Sequence, residues 1–325
     1  MEKKKVIIDC DPGIDDSLAI ILALKSPELE VRGITIVSGN VHGNKGAENA
    51  LKILKSINRL DVPVYVGKTE PLKRQLVTAE DTHGEDGLGE TQYPTVEETR
   101  YRTGAVEFIL NAIKKEEISI IALGPLTNIA TAMQEDNEVF SKVKEIVFMG
   151  GAFKSFGNCS PVAEFNFWVD PDAAKYVLNN AKVPLTMVGL DVTREIVLTP
   201  NYIEMLKQFN NQLSKLIVDI TRFYVNFHWK QEKTLGCVIN DPLAVAYLLD
   251  NSLCEGKSYY VDVVIEGQAI GMSMVDEGNF LRKKPNCKVL TETDANRFFY
   301  KFFNTLFPEF KEDIEIVLSD KRYSY

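Results

Sequence analysis

The chain reads as an α/β protein, a mainly parallel open sheet flanked by helices. Short β-branched runs alternate with helix-like stretches from the first residues onward, the pattern of parallel strands joined by covering helices. Its 325 residues, 45% of them hydrophobic, are enough to bury a large core. No Pro/Gly/Ser linker, internal repeat or low-complexity tract interrupts them, so a single domain over residues 1–325 is the simpler reading.

Lys5–Ile8 predicts the first strand and Asp15–Lys25 a helix after it. Val31–Val37 predicts the second strand, followed by a helix over Gly46–Ile57 whose apolar Ala47, Ala50, Leu51 and Leu54 recur at helical spacing. Val62–Val66 is the third strand. From Lys68 to Thr103 the text turns charged and turn-forming, including His83-Gly84-Glu85-Asp86-Gly87-Leu88-Gly89, and reads as a long loop of the kind that is usually functional or disordered. A helix over Gly104–Lys115 leads into strands at Ile118–Leu123, Lys144–Met149 and Pro184–Leu190. Asn201–Lys230 is helical and rich in aromatics. After Asp241 come a helix, strands near Tyr259–Ile265 and Gly271–Asp276, and a closing helix over Asp294–Leu306.

Charge and cysteine content exclude several classes. With 37 Lys+Arg against 46 Asp+Glu the formal net charge is −9, whereas a phosphate-backbone binder needs a basic face, so nucleic acid is not an expected partner. The apolar run Val6-Ile7-Ile8 is far short of a signal peptide or membrane span, which predicts a soluble, cytoplasmic protein without a membrane partner. Cys10, Cys159, Cys237, Cys254 and Cys287 form no C-x-x-C pair, which argues against a disulfide framework or a thiolate zinc site and suits a reducing compartment.

The most informative segment is Asp9-Cys10-Asp11-Pro12-Gly13-Ile14-Asp15-Asp16, four carboxylates directly after a buried-looking strand. Carboxylates so close either hold protons or bind a cation, and an all-oxygen set suits calcium or magnesium rather than zinc. The bland alternative, capping of the following helix by Asp15 or Asp16, explains one or two of the four. In open α/β sheets ligands gather beyond the carboxyl ends of the strands. Those ends are polar here: Asp9 and Asp11, Ser38-Gly39-Asn40, Gly124, and Met149-Gly150-Gly151 opening a segment with Asn158, Glu164 and Asn166. Taken singly, Asn40 and Asn158 also suit turns and Asn166 a helix cap.

The run from Asp9 to Asp16 resembles the N-terminal fingerprint of the nucleoside hydrolase family, the inosine-uridine-preferring type. Further matches follow in the family's order: Ser38-Gly39-Asn40, His83-Gly84 with Gly87-Leu88-Gly89, Gly124-Pro125-Leu126-Thr127-Asn128, Met149-Gly150-Gly151, Ala163-Glu164-Phe165-Asn166 and Asp241-Pro242. The resemblance implies a Rossmann-like nucleoside hydrolase fold and calcium-dependent hydrolysis of the N-glycosidic bond of ribonucleosides to ribose and free base. It also implies one Ca2+ per subunit, held by Asp11, Asp16, Asp241 and the carbonyl of Leu123, with Asp11 as the general base toward water. Asp15, Asn40, Asn158, Glu164 and Asn166 match the ribose pocket, while Asp9 matches no direct ligand and reads as support. A homodimer or homotetramer and a setting in base salvage are expected on the same ground.

One position departs from the family pattern. Many members carry histidine before the late Asp-Pro, where this chain has Asn240, which donates a hydrogen bond but cannot deliver a proton as an imidazolium can. Two histidines stand as compensating candidates. His83 matches the family's base-side histidine, and His228 shares a helical face with Tyr224; for His228 the alternative is an aromatic face packed on the core. Trp229 is an aromatic suited to stacking on a base, yet it points about 100° away from His228 on a helix. Two rival readings remain: a nucleoside sensor that keeps the calcium cup without turnover, and a haloacid dehalogenase-type phosphatase, which also opens with a strand and D-x-D.

Overall fold

A computed structural model of the chain describes residues 3–319. Seven strands follow one another as β1 (Lys4–Cys10), β2 (Leu29–Ile36), β3 (Val64–Val66), β4 (Arg102–Thr103), β5 (Ser119–Ala122), β6 (Glu145–Met149) and β7 (Leu185–Val188). All pair in parallel, in the order β7-β6-β5-β1-β2-β3-β4. The Cys287–Thr293 strand joins β7 in parallel and Cys254–Tyr259 closes that edge antiparallel, giving nine strands. The predicted architecture is therefore the observed one.

β1 lies at the centre because both of its faces are apolar. Val6, Ile8 and Cys10 enter one hydrophobic cluster and Ile7 enters the other, so the strand is covered on both sides, as parallel sheets require. From β1 the chain runs outward through β2, β3 and β4, then returns to the other side of β1 for β5, β6 and β7. Order therefore reverses between β1 and β5, the place where open α/β sheets form a ligand crevice. Asp11 follows the end of β1 and Leu123 the end of β5, so the two straddle this switch point.

The helix Ile14–Lys25 begins three residues after Asp11 and is buried from Ile14 to Ala23 against the neighbouring helices, among them Asp241–Leu249. That helix pair brings the first acidic cluster and the late Asp241 together. The expected Asn201–Lys230 region is two helices, Pro200–Phe209 and Gln212–Glu232. They are separated by Asn210 in a left-handed conformation at φ 47° and by Asn211, whose side chain accepts from the Ser214 amide as a cap.

The far end of the sequence departs more from expectation. Tyr259–Ile265 and Gly271–Asp276 contain the strands Val261–Val263 and Ser273–Val275, which form a separate two-stranded sheet. The edge strand Cys254–Tyr259, the strand Cys287–Thr293 beside it, and the helices Thr127–Glu135 and Lys311–Ser319 were not expected. Residues 68–101 are mostly loop as predicted, with one short helix, Glu80–His83, that carries His83; the end of the predicted loop is instead β4, Arg102–Thr103. No helix among the described residues is long and apolar enough to cross a membrane.

Candidate active site

Beyond the carboxyl ends of β1, β2, β5 and β6 lies a cavity of about 570 Å³. It is lined by Asp15, Asn40, His83, Leu123, Asn158, Glu164, Asn166, His228, Asn240 and Asp241, residues from eight separate segments of the sequence. Asp11 and Asp16 do not contribute to the lining and are fully buried. The structure thus brings together every residue expected at the site, with two carboxylates set behind its wall.

The acidic floor is built by close backbone approach. A Cβ at Gly39 would stand 2.0 Å from Oδ2 of Asp11, and one at Gly124 would stand 2.5 Å from its Oδ1. Only glycine at both positions leaves room for the carboxylate. Oδ2 of Asp11 accepts the Asn40 amide at 2.6 Å, while Oδ1 is buried without a hydrogen-bond partner. Asp16 accepts from the amides of Asp11 (3.2 Å) and Gly13 (3.0 Å) and from Nδ2 of Asn40 (3.0 Å). Oxygens of Asp15, Asp16 and Asp241 lie within 4.8 Å of one another.

Burial makes this cluster costly to ionise. Burial, reinforced by the Asp16 carboxylate, pushes Asp11 well above the usual carboxylate range, and burial with Asp15 and Asp16 does the same to Asp241. Asp16 is pushed up to about 6 by burial and the nearby Asp15. A dication removes this penalty, and buried carboxylates with an unpartnered Oδ1 suit a hard ion. Of the expected Asp11, Asp16 and Asp241, two belong to the group whose oxygens converge within 4.8 Å, and Asp15 completes that group in place of Asp11.

Behind the floor, Asp9 accepts from Thr35 Oγ1 (2.6 Å) and Asn128 Nδ2 (2.8 Å) on one oxygen, while its other oxygen has no partner. Burial raises it to about 7. It does not line the cavity, which agrees with a supporting place.

The residues expected at the ribose pocket are held largely by one another's backbone. Glu164 caps the helix Phe165–Val169, accepting from Asn166 (2.8 Å), Phe167 (3.2 Å) and Gly151 (2.9 Å) amides, and burial still raises it to about 7. Asn166 Nδ2 donates to the carbonyls of Leu123 (2.6 Å) and Met149 (3.2 Å), tying β5 to β6. Asn158 is exposed and accepts the Phe165 amide at 3.0 Å.

The two histidines also line the cavity, both buried and both pushed below the usual imidazole value by burial. His83 Nδ1 accepts the Ile14 amide at 3.1 Å, so its proton sits on Nε2. A Cβ at Gly13 would come within 2.6 Å of that Nδ1, which explains glycine there. His228 Nδ1 lies 2.9 Å from the Tyr224 carbonyl, which can only accept, so its proton sits on Nδ1. The two rings therefore carry opposite tautomers. Tyr224 stands between them, with ring centroids 5.3 Å from His83 and 4.4 Å from His228. Its hydroxyl donates to Oδ2 of Asp15 at 3.2 Å, and Asn240 Nδ2 reaches the same oxygen at 3.0 Å.

Some lining residues had no site expectation. Tyr224 was noticed only for its spacing from His228, and Phe156, Phe165, Trp168 and Phe227 add aromatic wall to the cavity, Phe227 with its ring centroid 5.4 Å from that of His228. Trp229, half exposed, lies outside the lining with Lys233 Nζ 5.6 Å from its ring, so it is not the stacking partner its type suggested.

An acidic cup at a sheet switch point, a wall of amide and carboxylate groups, and aromatic and histidine side chains in the same cavity suit a glycosidase-type site for a small ligand. The family model for inosine-uridine preferring nucleoside hydrolase matches residues 6–300, and the chain belongs to that family of N-glycosyl hydrolases. It is 36% identical over 301 residues to the pyrimidine-specific ribonucleoside hydrolase RihB of Escherichia coli O1:K1, covering 92% of this chain and 95% of that one. A solved purine-preferring ribonucleoside hydrolase from Gardnerella vaginalis superposes with a TM-score of 0.89 at 33% identity, covering 95% of this chain and 100% of that one. A plant nucleoside hydrolase gives 0.88 at 32%, covering 93% and 98%. The phosphatase alternative is thereby set aside.

Proposed function

We propose that the protein hydrolyses the N-glycosidic bond of ribonucleosides with one calcium ion per subunit, and that Asp11 is the general base. The observation that carries this reading is the buried, unpartnered Oδ1 of Asp11, set between two glycines at the switch point. Asp11, Asp16, Asp241 and the Leu123 carbonyl would hold the ion, with Asp15 close enough to orient or share it. A bound calcium ion would lower the pKa of a water only modestly, so a carboxylate within reach is needed to complete its deprotonation.

The protein's own groups account for the remaining steps. Oδ1 of Asp11 takes the proton of the attacking water while Oδ2 stays fixed on the Asn40 amide. Positive charge grows on the ribose ring as the C–N bond lengthens, and Glu164 with the amide oxygens of Asn158 and Asn166 supplies negative and dipolar groups beside it. Asp15, Asn40, Asn158, Glu164 and Asn166 thus form the ribose pocket. At the base end, Nε2–H of His83 donates to the departing base and His228 holds the transferable proton, while Asn240 fixes Asp15 rather than acting as an acid.

The protein works in this reading as a cytoplasmic homodimer or homotetramer in base salvage. Relatives named for pyrimidine and for purine preference both resemble it, so base preference needs direct assay. Base release from inosine, adenosine, guanosine, uridine and cytidine, with calcium or chelator, tests the reading. Metal-dependent release supports it; nucleoside binding without release at high enzyme concentration points to a sensor instead.

A further inference from the structure

The loop between Met149 and Asn158 is fixed almost residue by residue. Asp191 accepts the amides of Phe153 (2.7 Å), Lys154 (2.7 Å) and Ser155 (3.0 Å). Arg194 donates to the Ser155 hydroxyl and to the carbonyls of Phe156 (2.7 Å) and Gly157 (3.1 Å). Its guanidinium also lies over the Phe156 ring, 3.9 Å from the centroid, and 3.6 Å from Oε1 of Glu232. Glu232 is one helical turn beyond His228, so a single arginine joins this loop to the helix that carries the histidine.

What the arrangement holds is an aromatic ring that lines the cavity yet is 69% exposed. A ring left in water gains free energy when another apolar surface covers it, and a ring that cannot turn away is ordered in advance for that contact. The cavity gives the contact a direction. In the proposed reading the acidic floor takes the sugar, and Phe156 lines the same cavity where Arg194 meets Glu232, one helical turn beyond His228. A nucleobase presents a flat π-face, and a guanidinium on the same phenyl ring adds a cation–π contribution beneath the stack.

We propose that Phe156, fixed by Arg194, is the platform on which the substrate's base stacks, and that this pair sets the preference between two-ring and one-ring bases. The proposal rests on the nucleoside hydrolase reading of the site. Phe156 binds the base and leaves the ribose contacts alone. Arg194 acts through Phe156 as a positioning residue.

The test compares KM and kcat for inosine and uridine, and the inhibition constant of free D-ribose, in wild type, Phe156→Ala, Phe156→Trp, Arg194→Lys and the Phe156→Ala/Arg194→Lys double variant. Phe156→Ala is expected to raise KM about tenfold, more for inosine than for uridine, with a much smaller change in kcat and with ribose inhibition kept within about twofold. Phe156→Trp restores KM, and the double variant is no worse than Phe156→Ala because the two residues act as one unit. An unchanged KM, or KM and ribose inhibition rising together, overturns the platform. So does sedimentation showing that Phe156→Ala breaks an oligomer, since the ring then covers a subunit contact. A wild-type enzyme inert on every nucleoside overturns the underlying activity, whereas an active wild type with an unmoved Phe156→Ala overturns the platform alone.

Discussion

The amide of Ile14 donates to Nδ1 of His83 across 3.1 Å, and this bond decides what His83 can do. With Nδ1 facing a backbone donor at the start of a helix, protonation there would set two N–H groups against each other, and burial lowers the imidazole pKa further. His83 is therefore a fixed Nε2–H donor. His83→Ala should lower kcat/KM for nucleosides by about tenfold to a hundredfold, the value of one strong hydrogen bond to a developing negative charge. p-Nitrophenyl riboside, whose leaving group departs without help, should be hydrolysed at nearly the wild-type rate by the same variant.

His228 carries the opposite tautomer and keeps Nε2 free to take up a proton. Its pKa is lowered by burial, against smaller raising effects from its bond to the Tyr224 carbonyl and from Glu232 and Asp15. An acid with a depressed pKa is charged only on the acidic side, so nucleoside kcat/KM should fall as pH rises through that value. In His228→Gln this fall should vanish, with lower activity throughout the acidic range. A pH–rate profile of both proteins measures the difference.

Which parts of this account were legible beforehand follows from where the signal sits. Four carboxylates after a β-branched strand are local in sequence, and their cost without a cation can be argued without a fold. The sheet was legible because β1 and β6 end in apolar runs that only a doubly covered strand tolerates, and β2 is buried from Gly33 to Ile36. Cys254-Glu-Gly-Lys-Ser-Tyr has neither β-branched residues nor alternation, and its edge place is set by pairing with Cys287–Thr293. Thr127–Glu135 begins with weak helix formers, and its Asn128 is anchored through bonds to Asp9 and to the carbonyl of Ile36. Phe156, Arg194 and the bridging position of Tyr224 are tertiary facts with no local spacing to announce them.

Gly124 faces Oδ1 of Asp11, the atom without a partner. Gly124→Ala places a methyl group 2.5 Å from that oxygen, and the carboxylate must turn or the loop must shift. Calcium affinity measured by calorimetry should weaken at least about tenfold, equivalent to about 1.4 kcal/mol, while circular dichroism stays that of the wild type. Unchanged affinity would show that this oxygen does not face the ion.

Stability of the chelated protein should depend on pH in a direction set by its raised carboxyls. Asp9 and Glu164 are held at about 7 and Asp16 at about 6, all through burial. Each folded-state value lies above that of the unfolded chain, so the folded state binds more protons between roughly pH 4 and 7. The stabilisation is complete below that window and is lost as pH rises through the folded values. The thermal midpoint with chelator should drop by about 5 °C or more between pH 5 and pH 8, and added calcium should reverse the trend.

The central claim is that Asp11 takes the proton from the attacking water, and Asp11→Asn at saturating calcium tests it most directly. The amide keeps the shape of the side chain and removes the base. Base release should slow by about a thousandfold or more, with nucleoside binding retained. Release within about tenfold of wild type would contradict it and place the base elsewhere in the acidic cup.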